Sequence, residues 1–399
     1  MTSQFDLDAH LASPLRIVGD EAVVSPAPVV VLLSCYMTGS TEGRNLGIAG
    51  YSHDFVAKAF APLLARYGEV RAVVDPRRNL QQEVDRLIAA QRRPVHFSVL
   101  PLQDVVLGER VANIAVPAWE FPDAPNEGFD GNPQNDWGAT ADRCDLVLVS
   151  GPFTKAALAG SGTTTAIGIV PVPVDDSYFT VPEWSPEHTV TLECRGYVFG
   201  PDNNLRVADS ESSQNPDSVR RVIEFYRGRD VRHRCRLVVI CDFLTEAQLL
   251  ELTTATTFYL QATKAEGNCL PLMNHLAAGR PGVSPDHSSV GDYFDAQSGF
   301  VVASHPEPSA WPHDLRLRQR TTWARIVWPS LRDQIQASYR MASGSAVAYK
   351  RLSRSCRARM LDWAGNEAVA RALDRTVGRL LAGVTSDHGA APAADRKAA

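Results

Sequence analysis

The sequence predicts an α/β protein made of two doubly wound domains that face a cleft. The chain has 399 residues, which is enough for two domains of ordinary size. Continuous runs of Val, Ile and Leu alternate with amphipathic helical patterns, as a parallel sheet covered on both faces requires. The polar, Pro-containing segment EWSPEH at 183–188 separates two such alternating series. These observations together indicate two stacked sets of βα units.

The first series lies within a predicted domain at 26–182. Its apolar runs predict strands at 29–36, 70–75, 95–100, 110–116 and 145–150. Amphipathic patterns predict helices at 53–68, 81–91 and 152–162. The stretch IGIVPVPVDDSYF at 167–179 closes this half of the chain.

The second series lies within a predicted domain at 187–365. Its predicted elements are the segments 189–199, 235–242, 246–256 and 258–264, followed by a helix that begins near residue 269. Residues 1–25 have the composition of a poorly ordered lead-in. Residues 385–399 mix Ala, Pro and charged residues in the manner of a free tail.

Composition excludes several classes of partner. The chain is 44% hydrophobic and 21% charged, and its net charge of -5 favours neither nucleic acid nor an anionic membrane. The start of the chain has no apolar run typical of a signal peptide, and no segment has the roughly eighteen apolar residues of a membrane span. We therefore expect a cytoplasmic protein without membrane insertion. Nothing in the sequence indicates its oligomeric state.

The cysteine spacing and the search for known ligand motifs exclude several kinds of site. The seven Cys residues show neither CxxC nor Cys/His ligand spacing, which predicts reduced thiols and no zinc site. No phosphate-binding GxxxxGK[ST] loop occurs. We expect no bound metal and no cofactor.

The most informative segment is AEGNCLPLMNHLAAGRPG, which begins at residue 265. An acid and a Gly precede a predicted helix, and Gly279 and Pro281 end it. A helix N-terminus offers backbone N–H groups to a phosphate, and the preceding Glu266 could bind a sugar hydroxyl or an amine. Asn274 lies two turns along the same helix.

This segment closely resembles the donor-site motif of the retaining GT-B nucleotide-sugar glycosyltransferases, the glycosyltransferase family 4-like group. The motif is EG-x-x-LP-x-x-E followed by AxG and Pro, and the matching positions are Glu266, Gly267, Leu270, Pro271, Ala277, Gly279 and Pro281. The resemblance implies the GT-B fold, with a last helix, here 366–384, that braces the first domain. The chain departs from the motif at its second acid, where Asn274 stands.

The resemblance also implies roles for these residues. Glu266 would contact the donor sugar, and Gly267, Asn268, Cys269 and Leu270 would contact the sugar and phosphate. Asn274 would face the ribose, where an amide can still hydrogen-bond a diol. Cys269 has two interpretations: a thiol whose pKa falls at a helix N-terminus, or a small residue that fills space.

A second departure concerns the cations that stabilise the leaving diphosphate. The region 200–217, where the family has an Arg and a Lys, is acidic and polar, with only Arg206 inside it. Arg206, Arg195 or Lys264 could supply the charge. Lys264 is the first choice because it lies two residues before Glu266, although a surface Lys paired with a Glu is an alternative.

Two segments of the first domain predict an acceptor site. The loop 37–50 has four Gly residues, and Gly50 and His53 flank the start of the next helix. The long segment 117–137 contains Trp119 and Glu120, a combination suited to stacking and hydrogen-bonding a sugar or a flat amine. The alternative for Trp119 is burial in the domain's own core.

The resulting interpretation is a glycosyltransferase that moves a sugar from a nucleoside diphosphate sugar to a small acceptor, with retention at the anomeric carbon. Only five of the 40 basic residues are Lys, which is typical of high-GC genomes and suggests specialised-metabolite (antibiotic) biosynthesis. One specific hypothesis is an S-glycosyltransferase of lincosamide assembly. The alternative is a non-catalytic GT-B homologue that binds a sugar nucleotide and regulates or scaffolds a partner.

Overall fold

The structure is a computed structural model that describes most of the chain. The described residues are 27–36, 51–194, 196–199, 205–208, 237–240, 244–311 and 314–382. The predicted lead-in, the predicted tail, Gly50 and Arg195 lie outside them. For Arg206 the structure describes the backbone only.

A six-stranded parallel sheet forms the first domain, in the order β2, β1, β3, β4, β5, β6. Its strands are β1 Val29–Ser34, β2 Glu69–Ala72, β3 Arg93–Ser98, β4 Ala112–Ala115, β5 Leu146–Val149 and β6 Ile167–Ile169. The strand order reverses between β1 and β3, and parallel sheets bind ligands outside the carboxyl ends of their strands near such a point.

Helices cover both faces of this sheet. They are α1 Tyr51–Leu64, α2 Pro76–Ala89, α3 Trp137–Ala141, α4 Pro152–Gly160 and α5 Asp176–Phe179, with 3₁₀ turns at Leu102–Asp104 and Pro133–Asn135. Val31 of β1 packs in the same cluster as Phe60 of α1, whereas Leu32 packs with Val84 of α2. Successive strand residues therefore point into opposite cores, as a sheet buried on both faces requires.

The second domain contains a parallel sheet in the order β10, β11, β12. Its strands and helices are β10 Tyr259–Leu260, β11 Gly282–Ser284, β12 Gly299–Val301, α6 Glu246–Ala255, α7 Leu270–Ala277, α8 Trp328–Gly344 and α9 Ala346–Ala364. A 3₁₀ turn at Ser288–Asp292 follows β11.

Three further strands of the second domain differ from the expected parallel arrangement. They are β7 Gly196–Phe199, β8 Leu205–Ala208 and β9 Leu237–Ile240. Both β8 and β9 pair with β7 in the antiparallel sense. Gly196 permits the close approach of β9, since a Cβ there would lie 2.1 Å from the Val239 carbonyl oxygen.

The C-terminal segment packs against the first domain. The single helix predicted at 366–384 is observed as α10 Asn366–Thr376 and α11 Gly378–Ala382. Val369 and Leu373 are fully buried in the cluster that contains Val31. The chain thus returns from the second domain to cover one face of the first sheet.

An antiparallel hairpin of the second domain, unforeseen in the sequence, contacts the 117–137 loop of the first. Its strands are β13 Ser304–Ala310 and β14 Arg320–Ile326. Just beyond β13, the Trp311 ring lies 5.5 Å from Trp119 and 6.0 Å from Phe129, centroid to centroid. Arg316 lies 4.2 Å above the Phe129 ring and pairs with Glu127 at 2.8 Å. This contact joins the two domains through an aromatic cluster.

We expect Trp311→Ala to lower the free energy of unfolding by about 3–5 kcal/mol, because it empties a closed aromatic cluster. Urea denaturation followed by circular dichroism measures the change. Trp328→Ala is the matched control, since Trp328 is 71% exposed and its loss should change stability by about 0.5 kcal/mol or less. Equal effects of the two substitutions would contradict the assigned contact.

Candidate functional site

The candidate site lies where the 261–269 loop of the second domain meets the residues that follow β4 in the first. The Glu266 N–H donates to Ser288 Oγ at 3.1 Å, and the Ser289 N–H donates to the Glu266 carbonyl at 3.3 Å. Tyr293, which is buried, donates its hydroxyl to the Asn268 carbonyl at 2.8 Å. The loop is therefore fixed by its backbone to the turn that follows β11.

Glu266 is half-buried in this loop. Burial raises the pKa of its carboxyl, while hydrogen bonds from the Thr263 hydroxyl and the Cys269 N–H oppose the shift. The carboxylate is thus partly desolvated yet held by two donors. A group in this state interacts more strongly with a ligand than a solvated carboxylate does.

Glu120 approaches the same place from the first domain. Burial, with a smaller contribution from the charge of Glu266, raises the pKa of Glu120 to about 7. Backbone contact between the two segments is direct, because a Cβ built on Gly267 would lie 3.5 Å from the Trp119 nitrogen. The structure therefore brings together two predicted site residues from opposite halves of the sequence.

A buried polar contact between the domains, here called the interdomain bridge, consists of Thr154, Ser289 and Asp292. Thr154 Oγ1 lies 3.2 Å from Ser289 Oγ and donates to the Trp119 carbonyl at 3.3 Å. Asp292 accepts the Phe153 N–H at 3.2 Å at the start of α4. The sequence analysis missed these residues, although the polar run at 286–289 after a strand was a usable signal.

Gly151 makes this bridge possible. A Cβ at Gly151 would lie 2.0 Å from Asp292 Oδ2, so a side chain there would displace the carboxylate. Burial raises the pKa of Asp292 to about 6, and the hydrogen bond from the Phe153 N–H opposes the shift.

The helix that follows the loop begins abruptly. Cys269 adopts a left-handed conformation with φ 52°, and Pro271 occupies the first turn of α7. The Cys269 thiol is buried and hydrogen-bonds Gln261 Oε1. Burial raises its pKa to about 12, so of the two interpretations the space-filling one fits. Desolvation outweighs the helix N-terminus at this position.

The C-terminal end of α7 is held by Arg280, another residue that the sequence analysis did not single out. Its guanidinium is fully buried and donates to the carbonyls of Thr253, Thr254, Ala278 and Pro182 at 2.8–3.1 Å. These carbonyls belong to the ends of α6 and α7 and to the segment that joins the domains. Arg280 thereby fixes the orientation of α7 toward the cleft.

Asn274 lies on α7 and hydrogen-bonds the hydroxyl of Tyr178 in α5. Burial raises the pKa of Tyr178, and this hydrogen bond opposes the shift. The position that departs from the family motif therefore has a neutral hydrogen-bonding partner. Leu270, one turn earlier, is a partly buried side chain that contacts the cores of both domains.

The Lys264 side chain contacts the hairpin. Its ammonium lies 3.3 Å from a carboxylate oxygen of Glu307 and 4.1 Å from the centre of the Trp323 ring. Trp323 also donates its indole N–H to Glu307 at 2.8 Å. Lys264 is therefore a surface lysine paired with a glutamate, which is the alternative given in the sequence analysis. A phosphate contact by Lys264 would require this ion pair to open.

The remaining predicted site residues, Trp119, His53 and Arg206, lie in different environments. Trp119 is only 3% exposed and packs 4.5 Å from Trp137, centroid to centroid, so its ring has no free face for stacking and is a core residue. His53 lies in the first turn of α1, with its ring 5.4 Å from that of Tyr36. Arg206 lies in β8, opposite Val198 of β7.

The described part of the chain has neither a metal-binding cluster nor a membrane-spanning helix. No group of three or more His, Cys, Asp and Glu side chains there has an arrangement that could bind a metal ion. None of the helices described here has the length and apolar character needed to cross a bilayer.

Comparison with known proteins assigns the fold. No family model matches the sequence, and no curated protein is similar to it. The structure is similar to sucrose-phosphate synthase from Thermosynechococcus elongatus, with a TM-score of 0.51 and 12% identity over 89% of this chain and 99% of that one. This similarity shows the GT-B fold, with two Rossmann-like domains facing a cleft.

A second similar structure is HepE from Anabaena in complex with UDP and glucose. Its TM-score is 0.48, with 10% identity over 88% of this chain and all of that one.

We expect Asp292→Asn to flatten the dependence of thermal stability on pH. The pKa of Asp292 is raised from its ordinary value of 3.8 to about 6, so its contribution to stability is full below about pH 4 and is lost as pH rises through 6. Asn can still accept the Phe153 N–H, so the bridge itself should persist.

Melting temperatures of both proteins between pH 4 and 8 measure this effect. Asp286→Asn, an exposed change in the same region, is the control. Parallel pH profiles for the wild type and Asp292→Asn would show that Asp292 does not titrate at the interface.

Proposed function

We propose that this protein is a glycosyltransferase that transfers a sugar from a nucleoside diphosphate sugar to a small-molecule acceptor, with retention of anomeric configuration. The observation that supports this most is Glu266, which is half-buried at the domain interface and held in a loop leading into α7. A carboxylate with no ligand to bind would be more stable in water than half-buried, because removing a charge from water costs free energy. Its burial is explained if a ligand pays back the desolvation.

The donor would bind along the 261–269 loop and the start of α7. Glu266 would accept hydrogen bonds from the hydroxyls of the donor sugar. The N–H groups of Gly267, Asn268 and Leu270 would face the sugar and phosphate, where the partial positive charge of the helix N-terminus favours an anion. The ribose would lie near Asn274, whose partner Tyr178 adds a second polar group at that end.

Chemistry at this site would consist mainly of positioning and electrostatic stabilisation. The bond between the anomeric carbon and the diphosphate breaks with its electron pair on the leaving oxygen, the acceptor bonds to the same face of the sugar, and the proton of the acceptor passes to that oxygen. Lys264 and Arg206 stay candidates for the charge that stabilises this oxygen. Lys264 could serve only after release from Glu307.

The acceptor would enter from the first domain, with Glu120 and His53 as polar contacts and Gly50 in the loop before α1. We propose a cytoplasmic reaction, and the Arg-rich usage of basic residues supports a role in specialised-metabolite (antibiotic) biosynthesis. A thiol acceptor of lincosamide type is the first to test. Neither a metal nor a cofactor is part of this proposal.

A second candidate function is a non-catalytic GT-B homologue that binds a sugar nucleotide and regulates or scaffolds a partner. Two contacts favour it: Lys264 is paired with Glu307, and Asn274 is paired with Tyr178. Such a protein would bind the nucleotide and leave the sugar attached.

A thermal-shift panel of UDP-, GDP- and dTDP-sugars tests binding. A ligand at one hundred times its dissociation constant should add about 2.7 kcal/mol to the stability of the folded state. Mass spectrometry of the same mixtures, with water or a thiol as acceptor, then separates transfer from binding alone.

With the donor identified, Glu266→Gln should lower the rate of transfer about a hundredfold or more, because an amide cannot stabilise the transition state as the carboxylate does. Melting temperature should change little, since the side chain is not in a core. Glu251→Gln, an exposed change in α6, is the matched control. Wild-type rates in Glu266→Gln would exclude Glu266 from the donor site.

Asn274→Glu should tighten binding of the nucleoside, because a carboxylate accepts both hydroxyls of a ribose. The gain should be smaller for the nucleoside diphosphate, since the added charge repels the phosphates. Isothermal titration of both ligands measures the difference. A tenfold weaker affinity for the nucleoside would mean that position 274 does not face the ribose.

A further inference from the structure

The turn that follows β11 contacts the loop that contains Glu266 at several points. His287 Nε2 lies 3.0 Å from the Thr263 carbonyl oxygen, and His287 Nδ1 lies 3.2 Å from Ser288 Oγ. Ser288 Oγ in turn accepts the Glu266 N–H at 3.1 Å. The imidazole of His287 therefore lies between two contacts, one to Thr263 and one that leads through Ser288 to Glu266.

The chemistry of these contacts fixes the direction of each hydrogen bond. A carbonyl oxygen can only accept, so His287 Nε2 carries the hydrogen and donates it to Thr263. In a neutral imidazole the other nitrogen is then an acceptor, and the Ser288 hydroxyl donates to His287 Nδ1. A lone pair of the same Ser288 oxygen accepts the Glu266 N–H. Each of these polar groups thus has a partner of the opposite type.

His287 is in the neutral form that this arrangement requires. Burial lowers the pKa of its imidazole below the ordinary value of 6.5, while the hydrogen bond to the Thr263 carbonyl and the charge of Asp286 oppose the shift. Protonation would place a second hydrogen on Nδ1, and Ser288 could then no longer donate to it. The set of hydrogen bonds is therefore complete only with the neutral ring.

The backbone of Ser288 gives independent evidence for a role of its hydroxyl. Its φ is 50°, in the left-handed region where a residue with a Cβ is strained and Gly is not. Strained residues of this kind cluster at functional sites, where the surrounding contacts hold them in place. The contacts made by the Ser288 hydroxyl are those to His287 and Glu266.

Three consecutive residues thereby hold Glu266. Ser288 accepts its N–H, and the Ser289 N–H donates to its carbonyl at 3.3 Å. His287 holds the backbone of Thr263, whose hydroxyl hydrogen-bonds the Glu266 carboxylate. The backbone and the side chain of Glu266 are therefore both tied, directly or through one residue, to the turn after β11.

We propose that His287 is a positioning residue: its neutral ring, with the hydrogen on Nε2, orients Thr263 and Ser288 and through them holds the Glu266 carboxylate in place for the donor sugar. The inference rests on the proposed function, in which Glu266 contacts that sugar. Catalysis by positioning needs groups that are in place before the reaction, because rearranging them during the reaction raises the barrier.

The first experiment needs no ligand and follows hydrogen exchange of the full-length protein by mass spectrometry, in a peptide that contains Glu266. Ser288→Gly removes the hydroxyl and suits the left-handed backbone, so the fold should persist. One amide in this peptide should nevertheless exchange about tenfold faster, the effect of losing one hydrogen bond. His287→Ala should give a smaller increase, because Ser288 keeps its lone pairs and loses its orientation. His305→Ala, an exposed change in β13, should leave the exchange unaltered.

The second experiment measures transfer with whichever sugar nucleotide of the UDP-, GDP- and dTDP-sugar panel binds. His287→Ala should lower the transfer rate about tenfold and leave the affinity for the corresponding nucleoside diphosphate, which has no sugar, unchanged. His287→Gln, whose amide can donate to the Thr263 carbonyl as Nε2 does, should recover part of the rate. In the Glu266→Gln background, His287→Ala should cause no further loss, since it acts through Glu266.

Unchanged exchange in Ser288→Gly would overturn the proposal, and so would an equal loss of transfer from His287→Ala with and without the Glu266 carboxylate. If Ser288→Gly does not fold, Ser288→Ala provides the same exchange test. If no sugar nucleotide binds and the exchange changes as expected, the proposed function fails while the hydrogen-bonded arrangement stands. Transfer at the wild-type rate in His287→Ala would count against the inference alone.

Discussion

The Asp292 carboxylate at the N-terminus of α4 is the contact on which the site geometry depends. It joins the second domain to the backbone N–H of Phe153 in the first turn of α4, where the helix has a partial positive charge. The same turn places Ser289 against Thr154 and against the backbone of Glu266. Moving this turn would therefore move the 261–269 loop relative to the first domain. Gly151 is required because any Cβ would occupy the position of the carboxylate.

The aromatic contact between the 117–137 loop and the hairpin complements this polar bridge. Trp311 packs against Trp119 in an aromatic cluster. Glu120 is the next residue after Trp119 in the chain. Aromatic packing excludes water without offering charge, so it raises the cost of ionising a neighbouring carboxyl. Burial is the first cause of the raised pKa of Glu120, and the charge of Glu266 is a smaller one. A structure that only had to join two domains could do so without burying carboxyls.

Local patterns were sufficient to predict most strands and helices of the first sheet and the helix that follows Glu266. The continuous apolar run of β1 reflects burial on both faces, and the loop and helix at 261–277 follow from Gly, Pro and apolar spacing. Long-range contacts were not predictable in this way. The burial of Trp119 depends on Trp311, which lies far along the chain, and the ion pair of Lys264 depends on Glu307 of a hairpin that no local pattern indicated.

Features set by neighbouring residues in the sequence could therefore be predicted, whereas features set by contacts between distant residues could not. Two interpretations of the Cys269 thiol were open, and its burial against Gln261 outweighs the helix N-terminus. The same rule explains why Glu120 was identified by residue type while its relation to Glu266 was not. Side-chain chemistry can be read from sequence, whereas desolvation and partners are set by tertiary packing.

Asn274 stands where the glycosyltransferase motif that this segment resembles has its second acid, and the charges around the cleft give a reason for the difference. A glutamate there would add a third acid to Glu120 of the first domain and Glu266 of the second, and Lys264 is bound to Glu307. Asn274 keeps a hydrogen bond, to Tyr178, without adding charge. Because an unpaired charge in a partly buried cleft costs more than a neutral amide, the substitution lowers the negative potential that a diphosphate would meet.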